Sequence, residues 1–542
     1  MVQKLQTTFI SCCKLSIRRY ETSNIAIDFK RNPNDLADVS VQETCDYTEA
    51  KPFSSIPGPA SVPIFGNLLS YRLNPFAKFS VETYASALDY HYKRYGPLVR
   101  EHFGSGRVKI HVFSPDDYRI VFQNEGKVPE ITPLQEAAQR YRANRQLSLG
   151  LGNLNGEQWY RLRQAVQQMM MRPKTVVTFL PLAQTVATEF VELISRSRNR
   201  ETYEVEHFRT FALQWVLESA ANIVFERRLQ WLGETNANAT VNRMIDANQH
   251  AFLLAGLLKF SLPFHEYRFV PQLATRKWNQ FVDAEDYFFG IVNKFFDDAI
   301  RSLEQLISEN RTDIIDHYAF LQYLINRDEL SIEDVHIIAF SLFADGLNTT
   351  VPALLYTLYC LSTNQNAQQR LYDEISNKLG LSDDSENALK IPTANEIGQM
   401  PYLKACIKEA LRLFPVGTEV SRVATKDLVL SGYQIPTGTQ LDINMSVHLR
   451  SDKYFDQPNR FVPERWLRYG QAHTVHPFVH QPFGIGPRMC AGRRFAEQDL
   501  YVTLIGLLQR FRIEHCGGEM KQIMRTLLIP SFNVKFKFID RR

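Results

Sequence analysis

The sequence predicts a mainly α fold with minor β sheets. Segments with helical hydrophobic periodicity dominate the chain after residue 56, and only short β-like runs lie between them. These segments do not alternate regularly with the β-like runs, so a doubly wound parallel sheet is not expected. Helices are predicted near residues 79–95, 158–171, 180–197, 208–228, 284–305, 331–362, 366–379, 401–414 and 493–511, and strands at 108–113, 427–435 and 533–539.

The composition is typical of a globular protein. The 542 residues are 44% hydrophobic and 22% charged, which is enough apolar material for a sizeable core. The formal net charge is only +4 and no long Lys/Arg block occurs, so nucleic acid is not expected as a partner. The seven cysteines are sparse and include no CxxC pair, which favours a reducing compartment. The sequence contains no run of about 18 apolar residues, so a membrane-spanning helix is not expected.

The N-terminal segment differs in character from the rest of the chain. Residues 1–20 combine basic residues, Ser and Thr with apolar residues on one helix face, and they contain no acid. This combination resembles a mitochondrial transit peptide, and a disordered basic terminus is the alternative. We expect a leader over residues 1–50 and one folded domain over residues 51–542. The basic residues of the leader are Lys4, Lys14, Arg18 and Arg19.

One cysteine lies in a loop of unusual composition. The stretch FGIGPRMCAG, Phe483–Gly492, surrounds Cys490 with three glycines, a proline and Arg488. Glycines let backbone N–H groups approach a sulfur, and the helical pattern that follows adds a favourable helix dipole, so both stabilise a thiolate. A thiolate is a suitable ligand for haem iron, and Arg488 would then pair with a haem propionate. An inert buried cysteine in a turn is the alternative.

The spacing F-x-x-G-x-R-x-C-x-G in this loop resembles the haem-thiolate loop of the cytochrome P-450 monooxygenases. The resemblance extends over nearly all of residues 50–542. It implies the cytochrome P-450 fold, a single mostly helical domain that encloses haem b. Cys490 would be the axial ligand of the iron, and Phe483 and Arg488 would contact the cofactor.

A charged pair on a helical pattern matches a second motif of the family. In KEALRLFP, Glu409 and Arg412 are three residues apart and share a helix face. An isolated pair of this kind is usually a solvated surface feature. Here it resembles the E-x-x-R signature, and FVPERW (461–466) resembles the partner segment that supplies Arg465. The resemblance implies a buried cluster of these three residues with a structural role, beneath the loop that presents Cys490.

The most apolar long helical pattern, residues 337–362, carries polar residues at its centre. Gly, Thr and Pro in this position predict a local kink. Thr349 resembles the family's threonine that takes part in proton delivery to dioxygen. The usual pattern has an acid where Asn348 stands and a small residue where Asp345 stands. Thr349 and Asp345 are therefore the candidate catalytic residues, and whether Asp345 replaces the missing acid stays open.

Three further residues resemble the family's haem-propionate partners. WYRLRQ resembles the W-x-x-x-R helix, in which Trp159 and Arg163 lie on one face at i,i+4. Arg422, in EVSRVATKDL, resembles an arginine at the start of a strand. Without the resemblance, each arginine would be interpreted as an ordinary surface residue.

Four basic residues resemble those of the mitochondrial branch of the family, in which residues at these places bind an acidic ferredoxin. These are Lys404 and Lys408, in YLKACIKEALR, and Arg493 and Arg494, directly after the loop. A small basic patch steers an acidic partner and gives transient, salt-sensitive docking. A generic exposed helix face is the alternative for the two lysines.

Together these features predict a mitochondrial haem-thiolate monooxygenase that receives electrons from a ferredoxin and its reductase. It would insert one oxygen atom of O₂ into a C–H bond of a lipophilic substrate. Residues 140–305 loosely resemble the arthropod ecdysteroid hydroxylases, which suggests a steroid. The apolar stretch 251–264 suggests peripheral membrane contact, on the matrix side of the inner membrane, as an alternative to ordinary core. A xenobiotic-oxidising enzyme, a reductant-independent isomerase or dehydratase, and a non-enzymatic haem protein are the rival functions.

Overall fold

The computed structural model describes residues 46–71, 78–103, 106–260, 275–309, 319–381, 389–468, 470, 475–531 and 534–541. Helices dominate these residues and the strands form small sheets, so the predicted mainly α fold with minor β sheets is confirmed. Nearly all of the expected leader, residues 1–50, lies outside the described residues.

The helices follow one another along most of the chain, and every predicted helix is present, although several bounds differ. The helices are α1 (Tyr84–Tyr95), α2 (Pro115–Asn124), α3 (Glu136–Asn144), α4 (Gly156–Met170), α5 (Pro173–Val177), α6 (Leu180–Ser197), α7 (Phe208–Val224), α8 (Thr240–Lys259), α9 (Arg276–Ser308), α10 (Ala319–Ile325), α11 (Ile332–Asp345), α12 (Thr350–Thr363), α13 (Gln365–Leu379), α14 (Ala394–Gly398), α15 (Pro401–Leu413) and α16 (Arg493–Arg510).

The strands form one four-stranded sheet, in the order β1-β2-β6-β3, and three two-stranded ladders. Strands β2 and β6 are parallel and the other pairs are antiparallel. The strands are β1 (Leu98–His102), β2 (Val108–Val112), β3 (Val420–Val423), β4 (Leu428–Leu430), β5 (Tyr433–Ile435), β6 (Gln440–Ile443), β7 (Phe511–His515), β8 (Gln522–Arg525), β9 (Leu527–Pro530) and β10 (Phe536–Asp540).

The single strand predicted at 427–435 is wrong, because this segment is the β4–β5 hairpin. Ser431 and Gly432 have φ values of 46° and 79°, and two successive positive values turn the chain back on itself. The sequence SG at this point was the turn signal that marks the hairpin.

The kink predicted within 331–362 is present as a full break. Helix α11 begins at a capping box made by Ser331 and Asp334 and ends at Asp345. A 3₁₀ turn over Gly346–Asn348 follows, and α12 resumes after Thr349, whose φ and ψ of −126° and −61° lie outside the α-helical range. The Thr349 hydroxyl donates to the Asp345 carbonyl over 2.8 Å, so a side chain satisfies a backbone acceptor at the break.

Among the described residues, one segment, Ile332–Thr363, has the length and hydropathy that a membrane crossing would need. It spans α11 and α12, and 72% of its apolar window is buried inside the protein. This degree of burial is typical of helices in a protein core, and it explains why the segment is apolar on all sides.

The described part of the apolar stretch 251–264 lies in α8, and its side chains pack inward. Ala251, Leu254 and Leu258 are buried in the main core. Phe260 joins a second core cluster with Tyr71 and Tyr84. In residues 251–260 the interpretation as ordinary core therefore accounts for the apolar side chains, while residues 261–264 lie outside the described residues.

Helix α16 carries a buried carboxyl that makes stability depend on pH. Asp499 is 7% exposed and accepts a hydrogen bond from Ser219 over 2.8 Å. Burial raises the pKa of Asp499 from 3.8 to about 7. The ionised form is therefore disfavoured in the folded state, and the free energy of unfolding falls as pH rises from about 4 to about 7.

We expect Asp499→Asn to stabilise the protein at pH 8 but not at pH 4, because asparagine keeps the acceptor and cannot ionise. Thermal unfolding followed by circular dichroism at both pH values measures the effect. The exposed Asp283→Asn is the control and should show no such pH dependence. A variant whose Tm difference from the wild type is the same at both pH values would contradict the assignment.

Candidate active site

The cysteine loop is a tight turn that ends at the N-terminus of α16. Gly484 and Gly486 have φ values of 71° and 73°, a region that favours glycine. The Cys490 N–H donates to the Phe483 carbonyl over 3.0 Å, and the Met489 N–H donates to the Gly486 carbonyl over 3.0 Å. These bonds close the loop on itself and fix the position of Cys490.

The Cys490 sulfur faces an internal space. The side chain keeps accessible surface, yet it lies deep inside the protein, as a residue that lines an internal cavity does. Burial raises the pKa of the Cys490 thiol, and the Asp345 carboxylate raises it further. The backbone N–H groups of Gly492 and Arg493, and the Arg163 guanidinium, act in the opposite direction. A metal ion held by Cys490 would supply the remaining charge that a buried thiolate needs, because coordination to a metal deprotonates a thiol.

Trp159 and Arg163 lie one turn apart on α4, buried and near this sulfur. Arg163 is 7% exposed, and its pKa is lowered by burial and raised by Cys490. Within the described ranges, neither the Arg163 guanidinium nor the Trp159 indole N–H has a hydrogen-bond partner. Buried donors are seldom left unpaired, so this pair is suited to hold an acidic group that the protein itself does not supply.

Arg488 lies against Trp159, with its guanidinium 3.9 Å from the centre of the indole ring. Its donors reach the Pro129 carbonyl at 2.9 Å, the Leu154 carbonyl at 2.9 Å and Asn155 Oδ1 at 2.7 Å. Burial, followed by the charges of Arg422 and Arg163, lowers the pKa of Arg488 to about 9. Arg488 therefore ties the loop to the start of α4 in addition to contributing positive charge.

Arg422, on β3, has a partner that sequence reasoning missed. Its Nε donates to Glu125 and its Nη2 donates to the Ile485 carbonyl over 3.1 Å. Glu125 is 7% exposed, and a Cβ on Gly486 would come within 2.2 Å of its carboxylate. Burial raises the pKa of Glu125 and Arg422 lowers it. No local pattern in the sequence indicates this pair, because 297 residues separate its members.

Glu409, Arg412 and Arg465 lie together in one buried cluster. The Glu409 carboxylate accepts from Arg412 at 2.8 and 2.9 Å and from Arg465 at 3.0 Å. It also accepts from the Trp466 indole over 2.7 Å, a contact that the sequence analysis did not name although FVPERW contains it. The Trp466 ring stands 4.9 Å from that of His480, which precedes the cysteine loop. The cluster thus contacts the approach to the loop through Trp466.

Asp345, at the helix break, lies close enough to Cys490 for its charge to raise the pKa of the thiol, whereas Asn348 contacts α8. The Asp345 side chain is accessible yet enclosed, and burial raises its pKa from 3.8 to about 6. Asn348 is 1% exposed and forms hydrogen bonds with two residues of α8, Asn248 at 2.6 Å and Gln249 at 2.8 Å. The Asn348 amide therefore has a structural role in the contact with α8. Asp345 is the acidic residue at the break whose charge acts on Cys490.

The four basic residues predicted to bind a partner occupy one region. Glu497 forms ion pairs with Arg493 at 2.9 Å and with Arg494 at 3.3 Å, and its charge also affects Lys404. Lys404 donates to the Gly398 carbonyl over 2.8 Å, and burial lowers its pKa. Lys408 is exposed, with its ammonium 4.0 Å from the centre of the Trp466 ring.

The geometry fits a haem-thiolate site: backbone N–H groups point at an enclosed cysteine sulfur, and buried donors without partners among the described residues lie beside it. These residues fit a haem, since Cys490 suits the iron and the cationic residues suit its two propionates. The family profile described as Cytochrome P450 matches residues 56–538. The chain belongs to the cytochrome P450 family, and it is a haem-dependent monooxygenase.

Individual relatives cover nearly the whole chain. It is 40% identical over 507 residues to "Probable cytochrome P450 CYP44" of Caenorhabditis elegans, covering 92% of this chain and 97% of that protein. It is 29% identical to "1,25-dihydroxyvitamin D(3) 24-hydroxylase, mitochondrial" of Mus musculus, covering 91% and 90%. It is 28% identical to "Sterol 26-hydroxylase, mitochondrial" of Mus musculus, covering 83% of each chain.

Proposed function

We propose that this protein is a mitochondrial monooxygenase that hydroxylates a steroid-like substrate with electrons from a ferredoxin. The observation that carries the proposal is the enclosed Cys490 sulfur beside the unpartnered donors of Trp159 and Arg163. The names of the two mouse relatives support both the mitochondrial location and the substrate class. The leader expected over residues 1–50 agrees with that location.

In this proposal the described residues divide the work of holding the cofactor. Cys490 would ligate the iron, with Phe483 beside it, and the unpartnered donors of Trp159 and Arg163 would hold a propionate. Arg422 and Arg488, whose donors bond to Glu125, Asn155 and backbone carbonyls, would add positive charge beside the propionates. When bound, the haem activates dioxygen for insertion of one oxygen atom into a C–H bond. The cluster of Glu409, Arg412 and Arg465 supports the loop through Trp466 and His480.

Thr349 and Asp345 are proposed to handle protons. A hydroxyl both donates and accepts, so Thr349 Oγ1 is suited to pass a proton onward. The Asp345 carboxyl, with a pKa of about 6, exchanges its proton near neutral pH. Asp345 precedes Thr349 by one helical turn and is bonded to it through its carbonyl. This arrangement supports Asp345 as the acid in place of Asn348.

A cavity of about 460 Å³, lined by Arg140 and Ala143 of α3 and by Lys259 of α8 among others, is proposed as the substrate entrance. Peripheral membrane contact near an entrance would deliver a lipophilic substrate. The exposed apolar residues Val62 (47%), Ile64 (76%) and Leu69 (38%), which precede β1, are the described residues that best fit such a contact.

The electron donor is tested by removing the two lysines. We expect Lys404→Gln/Lys408→Gln to raise the KM for ferredoxin about tenfold and to change kcat little, because surface charges act mainly on encounter. The dependence of KM on salt should weaken as well. Product formation at varied ferredoxin concentration and ionic strength measures both effects.

The matched control for this test is Lys93→Gln, on α1. Lys93 is 71% exposed and pairs with Asp89 in an ordinary i,i+4 contact, so its removal should leave the KM unchanged. Equal KM values for the double variant, the control and the wild type would count against a ferredoxin docked at this surface.

The substrate class is tested by turnover of the intact enzyme. Purified protein, ferredoxin and its reductase are incubated with sterols, ecdysteroids and drug-like compounds, and products are identified by mass. We expect a steroid product that contains one added oxygen atom. Turnover of drug-like compounds alone would assign a xenobiotic-oxidising enzyme instead, and turnover without reductant would assign an isomerase or dehydratase.

A further inference from the structure

Arg142, on α3, is a buried cation, and no described residue offers it an anionic partner at contact distance. It is 8% exposed, and its Nη1 donates to the Leu149 carbonyl over 2.8 Å. Its Nε–H is buried without a hydrogen-bond partner. The guanidinium lies 5.8 Å from the Phe289 ring centre and 5.6 Å from the Phe340 ring centre, so α9 and α11 form aromatic walls around it.

A carboxyl of α9 lies near the same guanidinium, one helical turn before Phe289. Glu285 is enclosed by protein and yet retains accessible surface. Burial raises the pKa of Glu285 to about 7, and the charge of Arg142 acts against this rise. In the part of the chain that the structure describes, the Glu285 carboxyl has neither an ion pair nor a hydrogen bond, although Arg142 is close enough to affect it.

Asp345 completes the arrangement on the side of Cys490. The charges of Arg142 and Asp345 affect each other, and Asp345 in turn affects Cys490. The Asp345 carboxyl also has no hydrogen-bond partner among the described residues. Phe340, the α11 ring beside Arg142, precedes Asp345 by five residues on the same helix, so Arg142 and Glu285 lie near Asp345, whose charge in turn reaches Cys490.

Several other buried ionic groups in the described part of the chain are paired, unlike these three. Glu218 is fully buried and accepts from Arg228 Nε at 2.9 Å and from three backbone N–H groups. In a second buried cluster, Asp442 pairs with Lys109 at 3.2 Å, and Glu419 pairs with Lys259 at 2.8 Å. A buried polar atom without a partner destabilises the folded state. Unpaired buried polar groups that lie close together therefore indicate that a ligand group binds between them.

We propose that Arg142 and Glu285 form a polar subsite that binds a hydroxyl group on an otherwise apolar substrate. A hydroxyl oxygen accepts from the Arg142 Nη2–H groups, which have no partner among the described residues and keep accessible surface, and its proton is donated to the Glu285 carboxylate. Such a group bridges a cation and an anion that do not touch, whereas a ketone or an ether satisfies only the cation. The rings of Phe289 and Phe340 pack against the apolar part of the substrate.

This inference rests on the proposed monooxygenase function and narrows its substrate class. A lipophilic substrate held in this way already carries a hydroxyl group when it arrives. The reaction that supplies it must therefore install that hydroxyl or preserve it. The insertion of a further oxygen atom would then take place at a carbon that Arg142 and Glu285 fix at a distance from the hydroxyl.

The experiment compares alcohols with their methyl ethers on the haem-loaded enzyme. Cholesterol, 25-hydroxycholesterol, lauryl alcohol and their methyl ethers are titrated, and the shift of the haem absorbance gives each Kd. We expect at least one alcohol to bind about tenfold or more tightly than its ether, because the ether leaves Glu285 without a donor. Arg142→Met and Glu285→Leu should each reduce that ratio to about twofold or less.

Arg227→Met is the matched control and should keep the wild-type ratio, because Arg227 is 53% exposed and pairs with Asp298 at the surface. The thiolate absorbance of each haem-loaded variant establishes that it is folded before it is compared. If Arg142→Met does not fold, Glu285→Leu decides the question.

Equal Kd values for every alcohol and its ether in the wild type would overturn the subsite, as would a preference that both variants retain. A carboxylic acid of the cholestane series that binds more tightly than either sterol, with the preference lost in Arg142→Met, would overturn it in favour of an anion site. If only lauryl alcohol binds more tightly than its ether, the hydroxyl-binding subsite is supported and the steroid substrate class is not. The experiment therefore distinguishes failure of the subsite from failure of the proposed substrate class.

Discussion

Cys490→Ser is expected to yield a folded protein that no longer hydroxylates any substrate. A hydroxyl in this loop cannot supply the anionic sulfur that favours O–O cleavage, although the backbone bonds that close the loop would remain. Product formation with ferredoxin, reductase and the best substrate should fall to the level of an enzyme-free reaction. Circular dichroism should show helix content close to that of the wild type.

The matched control is Cys516→Ser. Cys516 follows β7, is partly exposed and forms no disulfide, so this change should leave turnover intact. Full activity of the Cys490 variant, or equal loss of activity in both variants, would contradict the role assigned to Cys490.

Glu409→Gln is expected to lower the free energy of unfolding by about 3–5 kcal/mol, because it leaves the buried charges of Arg412 and Arg465 uncompensated. All three side chains are at most 4% exposed, so water does not take the place of the lost carboxylate. The loop should lose its support together with the cluster. Urea unfolding and the yield of haem-loaded protein measure both consequences.

Glu464→Gln provides the comparison for this prediction. Glu464 lies in the same segment as Arg465, but its pair with Arg370 is 42% and 53% exposed, so its loss should cost about 1 kcal/mol or less. A Glu409 variant as stable as the Glu464 variant would show that the buried cluster does not support the fold.

Short-range patterns made the fold class and much of the site predictable. The spacing around Cys490 reflects the positive φ of Gly484 and Gly486 within one loop. The pair of Glu409 and Arg412 follows from helix geometry alone. The break near Thr349 follows from Gly, Thr and Pro in an apolar helix, and the structure contains it. In each case the residues that determine the feature are neighbours in the sequence.

Features that depend on tertiary packing were not predictable in this way. Helix α8 has a weak periodic pattern because it is buried on most sides, and its existence was not predicted. Glu125 and Glu285 look like ordinary surface acids in the sequence and become buried only when distant segments meet. The three arginine donors of the site are likewise separated along the chain, and only the fold brings Arg163, Arg422 and Arg488 together.

The most direct test of the account is the absorbance of the carbon monoxide complex of the reduced, haem-loaded wild-type protein. Ligation by Cys490 should give the strongly red-shifted Soret band that a thiolate ligand produces, present in the wild type and absent in Cys490→Ser. A band at the position typical of nitrogen or neutral ligands, in wild-type protein with intact helix content, would contradict it.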